Sequence, residues 1–222
     1  MNRVLAIAPH PDDETLGCGG TLLRHKALGG SIHWLIVTAM DPKRFTDEER
    51  EHRRSELERV AKVYDFDSVV TLGLPTARLE TLPMDELVAG IGQAVASIEP
   101  DTIYVPFPGD AHTDHRAVYT ASAAATKWFR YPSVKRVLAC EILSETDFAL
   151  NPSSLAFCPN SYTDISQWLE RKLDIMRMYA GEMGDHPFPR SETSIRALAA
   201  LRGAQCGASA AEAFMLLKEI IR

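Results

Sequence analysis

The chain has 222 residues, a formal net charge of −6 at pH 7, 45% hydrophobic residues and 24% charged residues. This length predicts a single domain over residues 1–222, and such a chain can bury a core without disulfides. It contains no block of lysine and arginine, which excludes an electrostatic basis for binding nucleic acid. The four cysteines form no CxxC pair, so neither a zinc ribbon nor a redox motif is indicated.

Short apolar runs alternate with longer amphipathic ones along the chain. The apolar runs predict strands at 4–8, 32–38, 69–72, 102–105 and 137–142. The amphipathic runs predict helices at 16–28, 46–63, 84–98, 115–129 and 165–179. This rhythm predicts an α/β fold in which a mostly parallel sheet carries helices on both faces.

The remaining segments are less regular. Residues 46–49 read as a capping box that opens the second helix. Residues 181–190 predict a loop of unknown role, segment 192–202 is predicted to be structured, and segment 209–221 is compatible with helix, strand or both. The first residues show no signal-peptide pattern, and every apolar run is too short to span a bilayer. We therefore expect a cytoplasmic protein without a membrane span.

Two clusters of histidine and aspartate each follow a predicted strand. The first is the sequence HPDD at residues 10–13, and the second is HTDH at residues 112–115. In open α/β sheets, ligands bind beyond the carboxyl ends of the strands. The two clusters are therefore expected to meet at one edge of the sheet, although they are far apart in the chain.

The spacing within each cluster suits a metal site. His10 and Asp13 are three residues apart, and residues at this spacing in a helical turn face the same way. His112 and His115 have the same spacing. A catalytic zinc site uses imidazole and carboxylate ligands and keeps one position for water. In the alternative interpretation, each cluster only starts a helix, with Asp12 or Asp13 as the N-cap of the first.

The residues around both clusters resemble the LmbE-like, or PIG-L, family of N-deacetylases. The string PHPDDETLGCGGTL at residues 9–22 resembles its first signature, and HTDHRA at residues 112–117 resembles its second. Thr113 stands where proline is common in the family. Weaker resemblances lie at residues 53–56, at 164–166 with Lys172, and at 211–214.

The resemblance implies a Rossmann-like α/β sandwich and one Zn²⁺ per chain. It implies that His10, Asp13 and His115 are the metal ligands, and that Asp12 is the general base. In the same pattern His112 stabilises the oxyanion or protonates the leaving amine, and Asp114 orients His112. The implied reaction removes acetyl groups from N-acetylated amino sugars. Many members of the family are homo-oligomers, so the resemblance also implies a homo-oligomer.

Two further residues are candidates for contact with the substrate. Arg53 can contact a hydroxyl or acidic group of a substrate, or it can be a solvated charge on its helix. Asp110 can accept a hydrogen bond from a sugar hydroxyl, or it can shape the loop that precedes His112. The sequence leaves both alternatives open.

Two other classes of protein, besides an N-acetyl sugar deacetylase, could contain histidine and aspartate clusters of this kind. A metal- and carbohydrate-binding protein of the same fold would not turn over its ligand, and it would need none of Asp12, His112 and Asp114. A phosphate-ester hydrolase with two metals needs more ligands than two short clusters supply. The enzyme is therefore the favoured interpretation, with an N-acetylated sugar as its small-molecule substrate and the aglycone undetermined.

Overall fold

The computed structural model describes residues 2–150 and 155–221. In chain order the elements are β1 (Arg3–Ala8), α1 (Asp13–Ala27), β2 (Ser31–Ala39), α2 (Asp47–Tyr64), β3 (Ser68–Pro75), α3 (Met84–Ile98), β4 (Thr102–Val105), α4 (Thr113–Ala124), β5 (Arg136–Cys140), β6 (Ser161–Asp164), α5 (Leu169–Met176), α6 (Glu192–Cys206) and β7 (Ala211–Glu219), with a short 3₁₀ helix at Leu79–Thr81. None of the helices in these ranges combines the length and apolar character needed to cross a bilayer.

The strands of the described chain form one sheet in the order β3-β2-β1-β4-β5-β7-β6. The pairs from β3 to β5 are all parallel. β7 is antiparallel to both of its neighbours, β5 and β6. The predicted α/β fold with a mostly parallel sheet is therefore confirmed, and the ambiguous segment 209–221 is a strand.

The sheet is covered on both faces, as the alternation of its side chains requires. In β1, Val4 and Ala6 belong to one apolar core, whereas Leu5 and Ile7 belong to the other. The first core contains apolar residues of α1, α2 and α5, and the second contains those of α3 and α4. Because both faces are buried, the central strands are continuous apolar runs rather than alternating ones.

The local sequence pattern predicted some element boundaries correctly and others incorrectly. The capping box is present, since Thr46 Oγ1 accepts a hydrogen bond from the Glu49 backbone N–H, and the Glu49 carboxylate accepts one from the Thr46 backbone N–H. The predicted helix 115–129 is wrong at its end, because α4 stops at Ala124. Trp128 and Phe129 extend its apolar pattern but are 59% and 63% exposed, so no buried contact supports another turn.

α1 is interrupted at Cys18, whose φ of −146° is not helical. The interruption leaves backbone groups of the helix without their usual partners, which must be satisfied in a buried position. Glu212 on β7 accepts hydrogen bonds from the backbone of Gly20 (2.9 Å) and Thr21 (2.7 Å). Lys172 on α5 donates from Nζ to the carbonyl of Leu16 (2.8 Å) and to Glu212 (2.7 Å).

The glycines in this stretch allow close packing. A Cβ on Gly17 would lie 2.8 Å from Cβ of Cys140, and one on Gly20 would lie 2.7 Å from Cγ2 of Ile165. The helix thus packs directly on β5 and on the segment before α5. The buried Lys172–Glu212 pair joins this helix to the carboxyl-terminal part of the fold.

We predict that Lys172→Met lowers the free energy of unfolding by about 3–5 kcal/mol, because it leaves the charge of Glu212 buried without its partner. Urea unfolding monitored by circular dichroism measures this loss. The matched control is Arg177→Met on the same segment, whose pairs with Asp174 and Glu192 are largely exposed, and which should cost about 1 kcal/mol or less. Equal effects of the two substitutions would contradict the structural role assigned to Lys172.

Candidate active site

The two clusters meet where the winding of the sheet reverses. β1 and β4 are parallel neighbours, and the chain continues from β1 towards β2 and β3 but from β4 towards β5. Such a switch point leaves a crevice beyond the carboxyl ends of the two strands. The loops after these strands carry residues 10–13 and 112–115 to that crevice.

The turn after β1 is held in an unusual conformation. Asp12 has a φ of 107°, which is rare for a residue with a side chain. Its backbone N–H donates to Oε2 of Glu14 (3.2 Å), and its carbonyl accepts the first hydrogen bonds of α1 from Thr15 and Leu16. The Asp12 carboxylate makes no capping hydrogen bond. Asp12 therefore occupies the N-cap position without capping, and its side chain is available to the crevice.

Asp13 draws the candidate ligands together. Its Oδ2 accepts a hydrogen bond from the backbone of His10 (2.8 Å) and lies 3.5 Å from Nδ1 of the same residue. Nε2 of His115, which is buried on the first turn of α4, lies 3.2 Å from the same oxygen. One ligand atom from each of the three residues lies within 4.8 Å of the other two. The structure thus brings together His10, Asp13 and His115.

The other ring nitrogen of each histidine is held by a carboxylate. His10 Nε2 is 2.9 Å from Oδ2 of Asp114, and His115 Nδ1 is 2.9 Å from Oδ2 of Asp110. Metal-bound histidines are commonly oriented by such carboxylates, which fix the tautomer and the ring plane. Each imidazole therefore presents its remaining nitrogen towards Asp13.

An unsatisfied nitrogen tests whether this set fits a metal ion. His115 Nε2 is buried and, among the described residues, makes no hydrogen bond of good geometry, although Oδ2 of Asp13 lies 3.2 Å away. A divalent cation between His10, Asp13 and His115 would use this lone pair and would balance the carboxylate. Two imidazoles and one carboxylate are ligands that suit a transition metal. The residues present therefore fit a metal ion.

The charges at the centre stabilise one another. Burial alone would lower the pKa of His10, but the hydrogen bond that its ring donates to Asp114 and the nearby Asp13 raise it to about 9. Against the effect of burial, the charges of His115 and His10 hold the pKa of Asp13 well below its ordinary value. The site is thus arranged to keep this carboxylate ionised, which is the form that binds a metal.

Asp12 has a different environment from its neighbour Asp13. Burial raises the pKa of Asp12 well above its ordinary value, and the charges of Asp13 and Glu182 raise it further. Arg190 opposes this shift, since its Nη1 lies 3.7 Å from Oδ2 of Asp12. The surroundings therefore raise the pKa of Asp12 and lower the pKa of its neighbour Asp13.

His112 is the N-cap of α4, and its Nδ1 accepts a hydrogen bond from the backbone of Asp114 (3.1 Å). Burial lowers the pKa of His112, and the charges of His10 and His115 lower it further. The ring is therefore neutral with its proton on Nε2, because Nδ1 is an acceptor.

The structure corrects two expected contacts. The Asp114 carboxylate was expected to orient His112, but it bonds to His10 and to the backbone of Ala77 (2.6 Å) and Leu79 (2.9 Å). Of Asp114, the backbone N–H and not the carboxylate forms a hydrogen bond with the His112 ring. Asp110 was a candidate for contact with substrate, but it is 0% exposed and lies behind His115. Its position favours the structural alternative.

A cavity of about 720 Å³ opens onto this centre. Its volume lies within the roughly 300–1,000 Å³ that is typical of sites for small molecules. Its wall includes His10, Asp12, Asp13 and His112 at the centre, and Arg53 farther out. The role of Arg53 in contacting substrate stays a prediction, and its guanidinium is paired with two carboxylates, those of Glu56 and Glu182.

Those carboxylates link α2 to the loop at residues 181–190. Arg53 donates from Nη2 to Glu182 Oε1 (2.6 Å), and its Nη1 lies 3.2 Å from Oε2 of the buried Glu56. Arg190 lies 3.3 Å from Glu182 as well. The loop predicted at 181–190 therefore forms part of the cavity wall.

Sequence reasoning missed two acidic residues that line the cavity, Glu145 and Glu182. They lie outside any recognisable motif, and Glu182 belongs to the irregular loop at 181–190. The proximity of that loop to α2 brings Glu182 to the site, whereas Glu145 is brought there by the contact of its segment with Ala111. No local spacing in the sequence could have identified this.

The family model described as "PIG-L: GlcNAc-PI de-N-acetylase" matches residues 5–126. Diacetylchitobiose deacetylase of Thermococcus kodakarensis is 25% identical over 96% of this chain and 82% of its own length. A probable N-acetyl-α-D-glucosaminyl L-malate deacetylase of Bacillus anthracis is 26% identical over 81% of each chain. The structure of N,N′-diacetylchitobiose deacetylase from Pyrococcus horikoshii superposes with a TM-score of 0.79 at 21% identity, covering 98% of this chain and 84% of that one.

We predict that Asp110→Asn lowers the affinity for a divalent metal about 10- to 100-fold, because the carboxylate that fixes the His115 ring is lost. Competition with a metal-sensitive chelator measures the change. Asp85→Asn is the control, since Asp85 is an exposed carboxylate on α3. Unchanged affinity in Asp110→Asn would show that His115 is not held for a metal by this contact.

Proposed function

Because the chain belongs to the PIG-L family, we propose that it is a zinc-dependent hydrolase of N-acetylglucosamine-type sugars or their conjugates. The reaction removes the N-acetyl group and gives acetate and a free amine. The single observation that carries this proposal is the convergence of His10, Asp13 and His115 beside the unbound carboxylate of Asp12. The similarity to sugar deacetylases over most of the chain supports the substrate class.

The metal in this proposal is one Zn²⁺ held by His10, Asp13 and His115. When bound, it supplies a Lewis acid that acidifies water and polarises the acetamide carbonyl. Asp114 and Asp110 keep the two imidazoles in the ligating tautomer. The single sheet, which takes strands from both ends of the described chain, supports treating residues 1–222 as one domain.

Asp12 is the general base in this proposal. Its carboxylate faces the cavity beside Asp13, and its backbone is fixed by Glu14 and by the start of α1. A base works best when its pKa lies near the working pH, and the raised pKa of Asp12 is in that direction. A carboxylate oxygen of Asp12 accepts a proton from the attacking water. Asp12 can then pass this proton to the departing amine.

His112 acts as a neutral hydrogen-bond donor rather than as an imidazolium. Its Nδ1 is occupied by the Asp114 backbone, so Nε2–H is the group left for the substrate. A donor fixed in this way stabilises the negative charge that develops on the carbonyl oxygen. A nearby divalent cation would lower the pKa of His112 further and would keep the ring neutral.

The direct test measures acetate release from N,N′-diacetylchitobiose and from N-acetylglucosamine by the zinc-loaded protein, with and without a chelator. The proposal expects release that stops on chelation and returns with added Zn²⁺. A protein that binds both zinc and sugar but releases no acetate would support the alternative, a binding protein of the same fold. Release that is indifferent to the chelator would contradict metal dependence.

We predict that Asp12→Asn retains its metal and loses about 10²- to 10⁴-fold in kcat, the range typical of a general acid–base residue. The matched control is Asp85→Asn, which removes an exposed carboxylate from α3 and should leave kcat within about two-fold, since neutral surface changes are small. Metal content of both variants is measured in parallel. Deacetylation by Asp12→Asn at the wild-type rate would reject Asp12 as the base.

A further inference from the structure

Glu145 is a carboxylate of the cavity wall that the proposed reaction does not use. It lies in the segment after β5 and lines the cavity together with His10, Asp13 and His112. Its side chain is half-buried. It belongs to neither histidine cluster, and it is not among the candidate metal ligands His10, Asp13 and His115.

The segment that carries Glu145 is fixed to the site. The carbonyl of Glu145 accepts a hydrogen bond from the backbone of Ala111 (3.0 Å), next to His112. The following residue, Thr146, donates from Oγ1 to Oδ1 of Asp110 (2.7 Å), the aspartate that holds His115. Glu145 is thus positioned by the same contacts that order the metal-binding residues.

The Glu145 carboxylate itself is unpaired. Within residues 2–150 and 155–221 it takes part in no hydrogen bond or ion pair, and the charges that act on it come from the site. Burial raises the pKa of Glu145, His115 and His10 act in the opposite direction, and Asp13 and Asp110 add to the effect of burial. The other acidic wall residues differ, because Asp12 and Glu182 lie beside Arg190.

A half-buried acceptor without a partner favours a ligand that brings a donor. The half-buried carboxylate opens onto the cavity, and a hydrogen bond from a ligand to such a charged acceptor is stronger than one between neutral groups. An N-acetylated amino sugar of the N-acetylglucosamine type, free or conjugated, brings two donors near the reacting carbonyl: the acetamide N–H and the hydroxyl on C3, next to the acetamido carbon C2. Either group can donate a hydrogen bond to a carboxylate.

On the basis of the proposed function, we propose that Glu145 is a substrate-binding residue that accepts a hydrogen bond from a donor next to the scissile acetamide. It orients the sugar so that the carbonyl faces His112 and the metal-binding residues. The residue thereby selects for substrates that carry a donor at this position. Its contribution is to binding and orientation rather than to proton transfer.

The experiment measures the Kd of N-acetylglucosamine by calorimetry in zinc-loaded protein carrying Asp12→Asn, so that turnover does not interfere. Adding Glu145→Ala is expected to raise Kd about 10- to 100-fold, the range that corresponds to a hydrogen bond to a charged group. Adding Glu145→Gln is expected to raise it less, because the amide oxygen still accepts. Asp147→Asn is the matched control, since Asp147 is exposed two positions later, and it should leave Kd unchanged.

A second sugar distinguishes the two donors. The 3-deoxy analogue of N-acetylglucosamine, which lacks the hydroxyl on C3, is titrated into the same proteins. If the hydroxyl is the donor, its removal weakens binding only when Glu145 is present, since two groups that interact are not additive. If the acetamide N–H is the donor, Glu145→Ala weakens binding of both sugars equally. Either result supports the proposal.

Two results would overturn it. Equal Kd values for Glu145→Ala and Asp147→Asn would remove Glu145 from the substrate site. Absence of binding of either sugar to every protein tested would do the same. Loss of bound metal in Glu145→Ala would assign the residue to metal retention instead. The failure of the proposed function is read separately, as zinc-loaded wild-type protein that releases no acetate.

Discussion

The site depends on one oxygen atom, Oδ2 of Asp13, around which two buried imidazoles are gathered. This oxygen holds the backbone of His10 and lies 3.5 Å from the His10 ring and 3.2 Å from the His115 ring. Such a concentration of titratable groups is costly to bury unless every charge has a counterpart. Asp114 and Asp110 supply counterparts behind the rings, and a cation bound in front of them would complete the balance.

The fold makes this concentration possible by placing rigid elements behind each group. The switch point between β1 and β4 brings two loops together, and α1 and α4 begin directly within the clusters. The turn at Asp12 is strained, and it persists because Glu14 and the first turn of α1 fix it. Deeper in the fold, Lys172 and Glu212 form hydrogen bonds with backbone groups of α1 near its interruption. The position of the site thus rests on contacts that extend to the last strand.

Much of this arrangement could be predicted from the sequence, and the exceptions have physical reasons. Strong periodicity and a capping box located α2 and α3 closely, and the apolar runs located the central strands. The short polar strand β6 was missed because its pairing with β7 is not encoded locally. The two clusters led to the candidate ligands, but the partners of Asp114 and Asp110 depend on which ring each carboxylate faces. Glu145 and Arg190 reach the cavity through tertiary contacts alone, and no spacing reveals such contacts.

The most direct test of the central claim is anomalous diffraction from crystals of the zinc-loaded protein. The account predicts one ion per chain, bound by Nδ1 of His10, a carboxylate oxygen of Asp13 and Nε2 of His115 at about 2.0–2.2 Å, with the Asp12 carboxylate outside coordination distance. An ion bound elsewhere, or one that takes Asp12 in place of Asp13, would contradict it.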